Sequence, residues 1–130
     1  MKKTSALAVV AISSAITFVA YGAEPCNIAE GQRLFQEQQC AGCHTYVPKD
    51  YEKSGPNLHK LFGRKAGTAI FPVGYTAALK QSGITWNAEM LEKWLTNPAA
   101  LVPGTAMPFA GLPDAAARKN LICFLQQKTK

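Results

Sequence analysis

The chain has 130 residues, 48% of them hydrophobic, with a formal net charge of +6. That length allows one small domain rather than several. The basic residues are scattered, with no basic run or aromatic-interleaved patch, which argues against nucleic-acid binding.

The first residues read as a targeting segment. Lys2 and Lys3 form a positive start, Ala6 to Ala20 is an apolar stretch, and Ala20-Tyr21-Gly22 offers small residues at a cleavage site. A Sec-type signal peptide over 1–22 is expected, cleaved to leave a domain over 23–130 that is exported to a periplasm. An uncleaved anchor is the alternative. The apolar run is short for a bilayer span of about 20 residues, and Ser13, Ser14 and Thr17 dilute it, so stable membrane insertion is not expected. Without Lys2 and Lys3 the domain holds 12 basic and 8 acidic residues. A core this thin leans on a disulfide, metal or cofactor.

Asn27 with Glu30 three residues on predicts an N-cap and capping pair, opening a helix that runs to about Cys40 with Ile28, Leu34 and Phe35 on one face. From Thr45 to Gly83 the chain is rich in Gly and Pro and shows no sustained period. Long irregular segments in a small domain usually wrap something functional. Asn87 caps a second helix with Leu91, Trp94 and Leu95 on its apolar face, which Asn97-Pro98 should stop. A second Pro- and Gly-marked loop follows, from Pro98 to Pro113. Asp114 then caps a last helix with Ala117, Leu121, Phe124 and Leu125 at apolar positions. The expected fold class is all-α, with three main helices, long loops and no strand pair. Its core is too small unless something fills the middle.

Cys40-Ala41-Gly42-Cys43-His44 supplies that something. Two thiols at this spacing can add across the two vinyl groups of one haem, and the adjacent His then ligates the iron. A zinc knuckle would need a second Cys or His pair, whereas Cys26, Cys123 and His59 lie singly and far apart. A thioredoxin-like redox pair would need a βαβ context. One haem c, bound covalently through Cys40 and Cys43, is expected. For the sixth ligand, Met107 lies in Pro103-Gly104-Thr105-Ala106-Met107-Pro108-Phe109, a loop stiffened by prolines, and Met/His ligation raises the potential. Met90 fits helix packing better, and His59 is a weaker bis-His competitor. His44 and Met107 are therefore the expected iron ligands.

The chain resembles class I cytochrome c, of the mitochondrial type and its short bacterial relatives. The resemblance runs from Gly31-Gln32-Arg33-Leu34-Phe35 through Cys40 to His44, Gly55-Pro56-Asn57-Leu58-His59, Leu61-Phe62-Gly63-Arg64-Lys65, Gly74-Tyr75-Thr76, Gly83-Ile84-Thr85-Trp86, Asn97-Pro98 and Pro103-Gly104-Thr105 to the final helix. It implies a cytochrome c fold wrapped around one haem and a one-electron carrier, not an enzyme. By the same resemblance the Pro56 carbonyl accepts the second ring N–H of His44, Gly31 and Phe35 pack on the last helix, and Arg64, Tyr75, Trp86 and Thr105 serve the propionates. Phe109 would screen the haem near Met107.

Three departures stand out. Trp94 takes the place of a tyrosine near the methionine sulfur, and an indole donates but cannot accept. Leu79 replaces a polar residue of an internal water network. Gln39, Ala99, Ala100 and Ala106 occupy positions that are often lysine, which implies weaker salt dependence and a less acidic partner surface. In the implied fold the first helix crosses the last, which would bring Cys26 near Cys123. A disulfide is expected there in an oxidising compartment, and a pair of free thiols is the alternative. The implied partners are redox proteins (an oxidase, reductase or dehydrogenase), with the carrier itself a monomer. A dedicated subunit of an exported dehydrogenase is the second reading. A small haem peroxidase or sensor would need an open sixth position, against which Met107 argues.

Overall fold

The computed structural model describes residues 25–130. The signal-peptide reading over 1–22 therefore lies outside the described residues. Among those described there are six helical segments and no strand. They are α1 (Ile28–Glu37), α2 (Cys40–Cys43), α3 (Ala77–Gln81), α4 (Ala88–Thr96), α5 (Pro98–Leu101) and α6 (Ala115–Lys128). A lone antiparallel bridge joins Lys65 to Thr85.

The side chain of Asn27 caps α1, accepting the Glu30 N–H at 3.0 Å. The Glu30 carboxylate does not close the reciprocal half of a capping box; it pairs with Arg33, which also reaches Glu37. The helix ends at Glu37, short of the expected Cys40. Gln39 is left-handed, at φ 60°, which breaks the i→i−4 ladder and starts the separate turn α2. α3 lies inside the stretch expected to be wholly irregular. The Thr76 hydroxyl caps it by accepting the Leu79 N–H at 3.3 Å. Five residues are too few for a readable period.

Asn87 caps α4 through the Met90 N–H at 2.8 Å, and Leu91, Trp94 and Leu95 are its buried face. Asn97-Pro98 does stop α4. It also opens α5, because the Asn97 side chain accepts the Ala100 N–H at 3.0 Å and Pro98 sits where a missing N–H costs nothing. Asp114 caps α6 through the Ala117 N–H at 2.9 Å.

The crossing of α1 over α6 organises the rest. A methyl group on Gly31 would lie 2.2 Å from the Asn120 carbonyl oxygen and 2.6 Å from Phe124 Cβ, so only glycine permits this approach. Beside it Phe35, Tyr46 and Phe124 form a mutual aromatic cluster with centroids 5.6–5.8 Å apart. The Asn27 N–H donates to Asn120 Oδ1 at 2.9 Å, and Cys26 is disulfide-bonded to Cys123. The two ends of the described residues are thus fastened together, and the two long loops face each other across the space that remains.

Candidate cofactor site

That space is a mainly apolar cavity of about 410 Å³, walled by residues of α1, α2, α4 and α6 and by both long loops. Cys40 and Cys43 stand at one wall with free thiols. Burial pushes the Cys40 thiol above its ordinary pKa, with a smaller contribution from Cys43 in the same direction, so it rests protonated.

His44 follows directly as the C-cap of α2, its N–H donating to the Cys40 carbonyl at 2.7 Å. Its Nδ1 lies 2.8 Å from the Pro56 carbonyl oxygen. A carbonyl can only accept, so Nδ1 carries the proton and Nε2 keeps a lone pair for a metal. Burial lowers the pKa of His44, opposed by that bond to Pro56, which keeps the ring neutral and ligand-competent. The neighbouring Gly55 is required as well. Its N–H donates to the Cys43 carbonyl at 2.7 Å, and a Cβ there would come within 2.7 Å of His44 Cε1.

Met107 lines the same cavity from the Pro98–Pro113 loop. The Thr105 hydroxyl accepts the Met107 N–H at 3.3 Å, the Met107 carbonyl accepts the Phe109 N–H at 2.9 Å, and the Leu112 N–H donates to Leu95 O at 2.7 Å. Arg118, a residue the sequence reading passed over, ties down the end of this loop. It donates to the Leu112 and Pro113 carbonyls at 2.6 and 2.8 Å and to Glu92 at 2.7 Å. Its signal was an arginine on the stripe continued by Leu121, Ile122 and Leu125, where a charge is buried only if paired.

Arg64, Tyr75, Trp86 and Thr105 are brought together on the cavity wall, giving it a polar portion. The Arg64 guanidinium is held by the carbonyls of His59 and Asn57 at 2.8 and 3.0 Å. Burial draws its pKa below the ordinary value and pushes that of Tyr75 up, each moderated by the other. An anionic partner would restore to the guanidinium what burial removes, and the neutral Tyr75 hydroxyl can donate a hydrogen bond to it. Trp94 also lines the cavity, packed edge-on against Trp86 at 5.3 Å, and Leu79 lines it too. Phe109 does not reach the wall; it is half-buried against the core. His59 and Met90, the competing ligands, are likewise not on the wall. Ser54, Lys65 and Thr76 are wall residues that the sequence reading did not single out.

The donor set fits a haem. Two free thiols, a histidine of fixed tautomer and a methionine share one apolar cavity with a cationic and hydroxylic portion. Zinc, which takes tetrahedral thiolate and imidazole ligands, would leave that apolar volume without purpose.

A family model described as Cytochrome c matches residues 28–128. The chain is similar to a cytochrome c of Cochliobolus lunatus, 45% identical over 109 residues that cover 84% of this chain and 99% of that protein. Cytochromes c of Arabidopsis thaliana and Stellaria longipes are 45% and 46% identical over 101 residues, covering 78% of this chain and 88% and 92% of theirs. These relatives are fungal and plant proteins, which corrects the expected periplasmic location. Organisms of that kind point to the mitochondrial intermembrane space rather than a bacterial periplasm.

Proposed function

We propose that this chain, which belongs to the cytochrome c family and is an electron carrier rather than an enzyme, holds its one covalent haem c between His44 and Met107 and hands single electrons from one redox protein to another. The observation that carries the ligand assignment is the His44–Pro56 bond, which leaves Nε2 unprotonated in a cavity shared with Cys40, Cys43 and Met107. When bound, the haem supplies reversible one-electron chemistry between Fe(III) and Fe(II).

The rest of the work belongs to the chain. Cys40 and Cys43 fix the group laterally, on a turn that also sets the position of His44. Pro56 orients the imidazole and strengthens it as a ligand. Thr105 and Arg118 brace the loop that presents Met107, so its thioether stays in place in both oxidation states. Arg64, Tyr75, Trp86 and Thr105 receive the propionates, and the apolar walls keep water from the iron. Trp94 places an indole where its N–H can only donate, which tunes the methionine side of the site. Phe109 stiffens the Met107 loop from outside the cavity rather than screening the haem directly. Partners of the oxidase, reductase or dehydrogenase kind and a monomeric carrier complete the reading. Residues 1–22 are a removable leader, a point that the intact mass of the mature protein checks.

Visible spectra of the haem-loaded protein, oxidised, reduced, and reduced under carbon monoxide, test the ligation. A low-spin spectrum with the weak red methionine–Fe(III) band, unchanged by carbon monoxide, is expected. High-spin features or ready carbon monoxide binding would mean an open sixth position and overturn it.

A further inference from the structure

Asn57 is buried, although its side chain is polar and it lies on a loop. Burying an amide is costly unless its hydrogen bonds are made. Here Nδ2 donates to the carbonyls of Val47 at 2.7 Å and Asp50 at 2.6 Å, and Oδ1 accepts the His59 N–H at 2.7 Å. The neighbours fix which end of the amide is which, because two carbonyls can only accept and an N–H can only donate.

These three bonds join two passes of the chain. The first leaves the Cys40–His44 segment and enters a turn, where the Asp50 N–H donates to the Val47 carbonyl at 3.3 Å and Lys49 is left-handed at φ 64°. The second returns from Gly55 to His59. Backbone bonds pair the two passes, from the Gly55 N–H to the Cys43 carbonyl and from the Leu58 N–H to the Thr45 carbonyl, both at 2.7 Å. His44 sits on the first pass, and Pro56, which accepts its Nδ1–H, on the second. The Asn57 side chain fastens the second pass to the turn that ends the first.

The Asn57 Cα also links two rigid peptide planes. The plane before it carries the Pro56 carbonyl, 2.8 Å from His44 Nδ1. The plane after it carries its own carbonyl, which accepts from Arg64 Nη2 at 3.0 Å, while Arg64 Nη1 donates to the His59 carbonyl at 2.8 Å. With the side chain held at three points, the angle between the two planes is fixed.

We propose that Asn57 is a positioning residue whose side chain aims two successive carbonyls, one at the imidazole of His44 and one at the guanidinium of Arg64. A single amide would then set both the strength of the proximal ligand and the place of the cation on the cavity wall. Asn57 itself is not on that wall, so it acts through these two groups. The proposal rests on His44 being the iron ligand. Leucine at this position keeps most of the volume and loses all three bonds. Serine keeps an acceptor for the His59 N–H but is too short to reach the Val47–Asp50 turn.

Nuclear magnetic resonance of the haem-loaded protein in the Fe(II) state reads both ends. In the wild type the His44 Nδ1 proton should exchange slowly with deuterium, and Arg64 should give separate Nη proton signals. In Asn57→Leu the Nδ1 proton should exchange about tenfold faster relative to the backbone amides of Leu121 to Leu125, which report opening of the α1–α6 packing. Its Arg64 Nη signals should average. Asn57→Ser should show part of both changes and stands in if the leucine variant does not fold. Gly31→Ala, which disturbs the α1–α6 contact and leaves the Asn57 bonds alone, should not raise the ratio of Nδ1 to α6 exchange. A ratio unchanged in both Asn57 variants, or raised as much by Gly31→Ala, would overturn the proposal. So would an effect confined to His44 or to Arg64, since one residue is assigned both. Wild-type His44 ring protons at ordinary histidine positions, without the displacement a haem ring current imposes, would bring down the ligand reading itself. Displaced ring protons whose exchange ignores Asn57 would bring down only the positioning role.

Discussion

The Nδ1–H of His44 donates to the carbonyl oxygen of Pro56 at 2.8 Å, and that carbonyl is held by a residue whose φ cannot vary. With His44 as the iron ligand proposed above, the bond would lend the imidazole anionic character and favour Fe(III) over Fe(II). Pro56→Ala retains the carbonyl but frees the backbone that aims it. The reduction potential of the variant is expected to rise by a few tens of millivolts, the equivalent of about 1 kcal/mol for one electron. Spectroelectrochemical titration of both proteins checks it; a potential that is unchanged or lower would show that the orientation of the carbonyl does not tune the ligand.

Much of this site was legible before any coordinates. Cys40-Ala41-Gly42-Cys43-His44 is local, and its chemistry is written in its spacing. Asn27, Asn87 and Asp114 are capping residues whose effect is confined to one turn, and each caps the helix it was expected to cap. What escaped the sequence depends on backbone conformation or on contacts between distant segments. The left-handed Gln39 that separates α1 from α2 has no compositional mark, since glutamine rarely adopts that conformation. The helix α3 is too short to show a period. The grip of Arg118 on Leu112 and Pro113 needs the loop folded back onto α6 before it exists. Phe109, placed beside the haem by resemblance, is half-buried against the core and is not among the residues that line the cavity.

Gly31 sets the distance between α1 and α6. Alanine there would place its methyl against the Asn120 carbonyl, a backbone atom that cannot rotate aside. The helices must separate, loosening the Phe35–Phe124 contact as well. Gly31→Ala is expected to destabilise the haem-loaded protein by about 1–3 kcal/mol, the cost of overpacking a close interface. The measurement is a guanidinium denaturation series, in which the midpoint should fall while the slope stays constant. A midpoint at or above that of the wild type would show that alanine's greater helix propensity outweighs the clash.

The Cys26–Cys123 disulfide spans 97 positions and so closes nearly the whole described chain. Cross-linking so long a loop restricts the unfolded ensemble, worth up to about 4–5 kcal/mol on the loop-entropy model. Replacing both cysteines with alanine is expected to lower stability by about 2–4 kcal/mol, and the α1–α6 contact should suffer first because the bridge flanks it. Denaturation of wild type with and without reductant, beside the double variant, makes the comparison. If reductant shifts the wild-type midpoint to that of the variant, the bridge is the cause. If reductant has no effect on the wild type and free-thiol titration of unfolded protein finds two extra thiols, the bond is not formed in solution.

Arg118 is buried, with a side chain only 10% exposed, and its charge is balanced by Glu92 while two of its bonds go to the carbonyls of Leu112 and Pro113. Those carbonyls end the loop that carries Met107, so the arginine joins α6 and α4 to the methionine side of the cofactor cavity. Leucine would fill most of the volume but leave Glu92 and both carbonyls without their donor, at a cost of about 2–4 kcal/mol. Lysine keeps the charge but lacks the planar fork that serves three acceptors at once, so it should recover only part of the loss. The distinguishing readout is spectroscopic. If Arg118 positions the Met107 loop, Arg118→Leu should weaken the methionine–Fe(III) band and admit carbon monoxide to the reduced protein at temperatures where the fold, followed by far-ultraviolet circular dichroism, is intact. Arg118→Lys should lie between leucine and wild type on the same scale. A variant that loses stability while its methionine band and carbon monoxide resistance match the wild type would confine Arg118 to holding α6 against α4.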